Sequence, residues 1–269
     1  MLFVIFRAMS SALRDRLFLL RELTLRDLKL RYIGSAMGLF WSVIHPLLTL
    51  LMYTLVFSLV IQPVYSRTSS VGSFAVFLFA GLLPWIQFHE SITRCAGVFL
   101  ENGNLIKKVK FEIELLPESV ICSSLGNQVI AAGVFFLVLW VHSHRISANL
   151  LWLVPALLIQ FLISMGIGLI VASANVFVRD IHQFLAVGFP FLFWATPIIY
   201  PPEQVPARFQ WLSDANPLTH LVALFRAALL QQPAPRWSAL LYLCACAAIV
   251  FWAGRKTLRR ARGVLADYV

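Results

Sequence analysis

Between Arg31 and Arg67 the chain carries no charged side chain, yet Arg26, Asp27, Lys29 and Arg31 crowd together just before that run. A helix needs ~20 apolar residues to cross the hydrocarbon of a bilayer. A dense basic patch set against such a run reads as a membrane boundary. Five more charge-free stretches follow, at residues 68–89, 119–144, 146–178, 181–202 and 237–254. The last is the shortest and still suffices. Only 13% of the residues are charged and 60% are hydrophobic, whereas a soluble domain carries about 25% charge. One core cannot hold so much apolar surface, so lipid must solvate much of it. The expectation is an all-α polytopic membrane protein, with six transmembrane helices in a single transmembrane domain over residues 1–269.

An even number of spans puts both termini on one side, and Lys and Arg select the side. With the N-terminus in the cytoplasm, only Arg67, Arg145, Arg208, Arg226 and Arg236 of the 22 basic residues fall outside. The topology is therefore read as N-in, C-in, with residues 255–269 as a cytoplasmic tail. The net charge of +10 sits in clusters between apolar runs, which suits anionic lipid headgroups rather than nucleic acid. The start, MLFVIFRAMSS, is read as no signal peptide, because Arg7 interrupts a short apolar stretch. Cys95, Cys122, Cys244 and Cys246 lie in or beside apolar segments without metal spacing, and are read as free thiols.

Four connecting features look specialised. Residues 12–33 place Leu13, Leu17, Leu20 and Leu28 near one helical face, with Glu22/Arg26 and Asp27/Arg31 at i,i+4 spacing. That predicts an amphipathic helix on the inner membrane surface; a plain basic topology anchor is the simpler alternative. The loop at 101–117 opens on the turn signal Asn102-Gly103-Asn104. Its Leu105, Ile106 and Val109 can form an apolar edge while Lys107, Lys108 and Lys110 stay wet. Such a short amphipathic helix suits a groove on a cytoplasmic partner, or else serves as an ordinary topology loop. Arg179-Asp180 sits in a tight turn that needs no catalytic role. On the outside, prolines at 197, 201, 202 and 206 break the fifth span, and Asn216-Pro217 reads as an N-cap with proline at the first helical position. The apolar stretch 218–230 is too short to cross, so residues 203–236 are expected to hold re-entrant or interfacial helices. Arg226 would then sit at the outer end or line a polar cavity.

Several chemistries have no representative. There is no G-x-x-x-x-G-K-[ST] run to cradle nucleotide phosphates, no H-E-x-x-H, and no Asp or Glu inside the charge-free runs. His142 and His144 diverge on a helix, so a metal site is not expected there. His45 lies inside the first run, where a polar ring faces either the bundle or an aqueous path. Glu90 and Arg94, one turn apart, are candidates to neutralise each other. Something outside the chain must drive whatever it does.

The runs RDLKLRYIGSAMGLFWSVIHPLLTLLMYTLVFS, GLLPWIQFHESI, ENGNLIKKVKF and PIIYP…VP…NPLTHLVALFR, in that order, resemble the membrane subunit of polysaccharide ABC exporters, which serve O-antigen, capsule and teichoic-acid export. The resemblance implies a homodimer in the bacterial inner membrane, paired with two copies of a P-loop ATPase that bind ATP and magnesium. No cofactor is expected in this chain itself. Arg26, Lys29 and Arg31 would guide the charged headgroup of a lipid-linked polysaccharide. Leu105, Ile106, Lys107, Lys108, Val109, Lys110 and Phe111 would form the coupling helix to the ATPase, and Asn216, Pro217 and Arg226 would belong to the external gate.

Pro46 breaks one backbone hydrogen bond of the first span, which a conduit-lining helix can use to bend. Phe40, Trp41, His45, Tyr53 and Phe57 on that span would meet Phe189, Phe193, Trp194 and Tyr200 of the fifth, offering aromatic faces on which sugars slide. Ordinary helix packing and an interfacial aromatic belt account for the same rings. Two other functions stay open: an ABC exporter of a small lipid or drug, which competition assays would separate, and a membrane-embedded glycosyl- or acyltransferase, which would turn over a lipid-linked sugar without ATP.

Overall fold

The computed structural model describes residues 2–32, 37–56, 71–108, 111–143, 148–230, 232–233 and 235–268. Among them the structure is helical, without strands: α1 (Leu2–Tyr32), α2 (Trp41–Leu55), α3 (Val71–Glu101), α4 (Gly103–Lys108), α5 (Leu115–Ser143), α6 (Leu153–Phe177), α7 (Ile181–Ala195), α8 (Gln210–Ala215), α9 (Pro217–Leu230) and α10 (Trp237–Tyr268). Leu115–Leu137, Asn149–Phe177 and Trp237–Gly263 are long and apolar enough to cross a bilayer; Trp41–Tyr53, Ile181–Ala195 and Pro217–Leu230 are apolar but shorter. Large apolar side chains such as Phe184, Phe191, Leu241 and Ile249 point outward from the bundle, as lipid-facing positions do.

α3 and α6 form the centre. The main core joins them to α5, α9 and α10 through Phe79, Ile92, Phe135, Ile163, Leu224 and Leu243. A second core lies nearer the end that carries α1 and α4, where Phe99, Ile121, Leu169, Leu258 and Leu265 meet. The expected tail is therefore no separate unit: α10 runs unbroken through residues 255–268, and its apolar side packs into that second core. α6 and α10 touch backbone to backbone. A Cβ built on Gly254 would stand 2.3 Å from the Gly166 carbonyl oxygen, and one on Gly166 would stand 2.5 Å from the Val250 carbonyl. Only residues without side chains allow helices so close.

α1 is one helix of 31 residues, longer than the 12–33 segment read from the sequence. Leu13 and Leu17 are exposed, while Leu23 packs on the second core. α7 ends at Ala195 and the chain leaves it through the extended Thr196, as a proline at 197 requires of the residue before it. The Asn216-Pro217 signature forms as predicted: Asn216 Oδ1 accepts the Leu218 N–H at 3.0 Å, and its Nδ2 donates to Thr196 Oγ1 at 2.8 Å. α9 follows, buried almost throughout against α3, α6 and α10.

Candidate functional site

At the end of the bundle that holds α1, charges on α1 and α3 form a knot with two serine hydroxyls of α5. Arg94 of α3 donates two hydrogen bonds to the Asp27 carboxylate, at 2.9 and 2.5 Å. Ser123 also donates to Asp27, and Arg31 stands 3.6 Å from it. Arg31 in turn pairs with Glu90 and donates to Ser123 at 3.1 Å and Ser124 at 2.8 Å. The local Glu90/Arg94 pairing read from the sequence is thus replaced by two pairings that cross to α1, because Asp27 offers Arg94 a two-pronged partner. Burial pushes the Asp27 carboxyl up, but the Arg94 and Ser123 hydrogen bonds and the Arg94 and Arg31 charges outweigh it and hold it below the usual aspartate value.

Further along α1, Arg16 bridges Glu112 and Glu118, both at 3.0 Å. Arg26 donates to Asn102 Oδ1 at 3.0 Å, so the expected Glu22/Arg26 pair gives way to a link between α1 and α4. Asn102 is also the residue whose carbonyl receives the first N–H groups of α4, from Leu105 and Ile106. Of the three predicted headgroup residues, Lys29 is exposed, Arg26 holds Asn102, and Arg31 is built into the knot.

α4 begins two residues before the predicted coupling segment and ends before Phe111. Leu105, Ile106 and Phe111 pack on the protein's own second core, leaving Lys107 and Lys108 exposed. Leu105 and Ile106 of the predicted apolar edge are therefore partly buried against the protein itself. Val109 and Lys110 lie outside the described residues.

α2 and α7 both pack on α3. Tyr53 and Phe193 flank one small cluster built on Leu78, Leu82, Ile198 and Val222, and Trp85 of α3 touches the rings of Phe189 and Phe193 at centroid distances of 6.0 and 5.3 Å. The two predicted aromatic sets thus meet through α3. Phe40, Trp41 and Trp194 are exposed, and the half-buried Tyr200 donates its hydroxyl to the Trp194 carbonyl at 2.5 Å. Phe57 lies outside the described residues. Pro46 is buried inside α2.

Arg226 lies in the second half of α9 with its side chain buried. It is 3% exposed, donates to the carbonyls of Pro197 at 2.9 Å and Ile198 at 2.6 Å, and stacks 3.6 Å from the centre of the Phe77 ring. Gly81 leaves room for it, since a Cβ there would come within 2.9 Å of its guanidinium. The planar fork reaches two carbonyls at once, which a lysine ammonium does less well. Arg226→Lys is expected to cost about 1–3 kcal/mol, read as a lower thermal-unfolding midpoint in detergent. An unchanged midpoint would show that the 197–198 segment is held by its packing alone.

A cavity of ≈ 690 Å³ opens between α1, α2, α3 and α5, with Trp41, His45, Trp85 and His89 among its lining and Arg31 and Glu90 at its charged side. Two glutamines of its lining, Gln87 and Gln128, bond to a third, Gln160, buried outside it, and periodicity singled out none of them. Gln160 Nε2 donates to the Pro84 carbonyl at 3.0 Å and to Gln87 Oε1 at 2.5 Å, while Gln160 Oε1 accepts from Gln128 Nε2 at 3.0 Å. Three lone glutamines in apolar runs were the available signal, because a polar side chain at membrane depth needs partners.

The described residues thus form a bundle of largely apolar helices with an ionic knot and a short lysine-bearing helix at one end and a short helix, α9, buried within it. The chain belongs to the ABC-2 type transporter family, whose sequence profile matches residues 19–230. It is 32% identical to an O-antigen export system permease protein RfbA of Klebsiella pneumoniae over 209 residues, covering 77% of this chain and 78% of the relative. It is 28% identical to the protein of the same name from Myxococcus xanthus over 254 residues, covering 93% and 95%. A polysialic acid transport protein KpsM of Escherichia coli is 26% identical over 212 residues, covering 77% and 80%.

Proposed function

We propose that this chain is the membrane subunit of an ATP-driven exporter that carries a lipid-linked polysaccharide from the cytoplasmic to the external face of a bacterial inner membrane. Two copies, each with six spans and both termini in the cytoplasm, pair with two copies of a P-loop ATPase. ATP and magnesium are taken by that partner. The observation that carries the reading is the likeness, over most of the chain, to permeases named for O-antigen and polysialic acid export. The basic end supports it: α4 presents Lys107 and Lys108 outward and is tied by Asn102 to Arg26, so a push on α4 reaches α1. The aromatics of α2 and α7 offer a wall for the moving glycan.

The coupling role is tested without disturbing the packed side of α4. Lys107→Glu/Lys108→Glu is expected to lower surface polysaccharide about tenfold in a deletion strain, since opposite charges at a docking surface repel the partner, while the level of protein in the membrane stays unchanged. Export at the wild-type level would remove α4 from the coupling path. A deletion strain with undiminished surface polysaccharide would remove the export reading itself.

A further inference from the structure

α10 has two parts of different chemistry. From Trp237 to Gly254 it carries no charge; Arg255, Lys256, Arg259, Arg260 and Arg262 then follow in close order, and its one acid, Asp267, comes later. Trp237 to Lys256 is a rise of about 28 Å at 1.5 Å per residue, close to the ~30 Å of bilayer hydrocarbon. Lys256 therefore stands where the headgroups begin. Arg259, Arg260 and Arg262 stand about 4–9 Å beyond it along the helix, at headgroup depth.

The inner side of this stretch is taken by the protein. Leu243, Leu258 and Leu265 are buried in its cores, and Arg255 pairs with Glu114 at 2.9 Å. The outer side is open. Leu241, Ile249 and Trp252 are 70%, 64% and 62% exposed, and Lys256, Arg259, Arg260 and Arg262 are exposed as well. At 3.6 residues per turn, Leu241, Ile249, Trp252, Lys256 and Arg259 fall within roughly 80° of one another. One face thus runs from aliphatic through an indole to cations, with Arg260 and Arg262 on its flanks. Lys256 Nζ lies 4.5 Å from the centre of the Trp252 ring, which fixes the ammonium at the end of the apolar part. Among the described residues no acid pairs with these four cations.

We infer that this face of α10 is a binding site for an anionic glycerophospholipid of the phosphatidylglycerol type. An acyl chain lies along Leu241 and Ile249, the ester region meets the Trp252 indole, and the phosphate sits against Lys256 and Arg259. A zwitterionic lipid brings its own ammonium, which the flanking Arg260 and Arg262 repel. An acidic protein segment fits poorly, because the same face continues without a break into an apolar stripe at hydrocarbon depth. Each cation near an anionic membrane surface is worth about fivefold in affinity, so the in-line pair alone is selective. The inference does not depend on the cargo proposed above.

The test is photocrosslinking of the full chain in nanodiscs of equal phosphatidylcholine and phosphatidylglycerol, with an acyl-chain diazirine on one lipid or on the other. Labelled peptides are read by mass spectrometry. Label on residues 241–252 is expected to favour phosphatidylglycerol about tenfold, whereas label around the exposed Phe191 of α7 should favour neither lipid. Lys256→Gln/Arg259→Gln/Arg260→Gln is expected to bring the α10 ratio to about one. Lys256→Arg/Arg259→Lys/Arg260→Lys should leave it high, since charge is what selects. Gel filtration shows that each variant is folded. If the glutamine variant is not, 0.5 M sodium chloride on the wild type, which screens charges beyond about 4 Å, takes its place and should cut the ratio at least threefold. Equal labelling by the two lipids, or a ratio unmoved by the glutamines or by salt, overturns the site. So does a cryo-EM map in which a protein chain covers Lys256 and Arg259, which gives the face to a protein partner.

Discussion

Gly254→Leu is expected to yield almost no folded protein. The Cβ alone would stand 2.3 Å from the Gly166 carbonyl oxygen and 2.8 Å from its Cα. These are backbone atoms of a helix with about half its residues buried, so no flexible side chain can swing aside. Overpacking a well-filled interior costs ~1–3 kcal/mol when neighbours can yield; here α6 and α10 must separate along their closest contact. The measurement is fluorescence-detected gel filtration of a tagged chain, with Gly263→Leu as the control, since a Cβ at Gly263 meets nothing within 4 Å. A monodisperse Gly254→Leu peak of wild-type height would mean that the two helices do not touch there.

Asp27→Ala is expected to free α1 from the bundle. Asp27 and Arg31 have side chains only 14% and 11% exposed, so removing the carboxylate leaves two arginines facing Glu90 alone. Breaking a buried ion pair by deleting one partner costs about 3–5 kcal/mol. Tryptic cleavage within α1 should accelerate by roughly a hundredfold when it follows local opening. Asp15→Ala, which removes an exposed acid from the same helix, should change it little. Equal cleavage in the two variants would show that the knot does not hold α1. The wild-type contact also has a pH signature. Because the Asp27 carboxyl titrates lower in the folded chain, its stabilisation is complete above the unfolded value of about 3.9 and is lost as pH falls through the lower folded value. α1 should therefore stay docked across the neutral and mildly acidic range.

The features that could be read from residue order are those set by nearby residues. Charge-free runs marked most of the long helices, and Asn216-Pro217 marked the start of α9 because a cap involves residues two apart. The helical turn after Asn102 was legible for the same reason. Partners chosen in three dimensions were not. Arg94 ignores Glu90, four residues away, for Asp27, 67 residues away. The apolar edge of α4 looked free because nothing in Leu105 and Ile106 names the second core against which both are half-buried. Arg226 was read only as part of an apolar stretch too short to cross, and the 197–198 carbonyls that receive it come from a segment some 28 residues earlier. The glutamine chain draws one member each from α3, α5 and α6, so no single helix reveals it.

The burial of α9 also bears on how the chain is made. Its 14 residues reach about 21 Å at 1.5 Å per residue, short of the ~30 Å that lets a segment partition into lipid unaided, and it carries a guanidinium whose partners are the carbonyls after α7. A nascent α9 leaving the insertion machinery has no resting place of its own. It can settle only against α3 and α6, both of which are synthesised before it, and α10 then closes over it. The burial of α9 therefore depends on α3 and α6, which precede it in the chain, and on α10, which follows it.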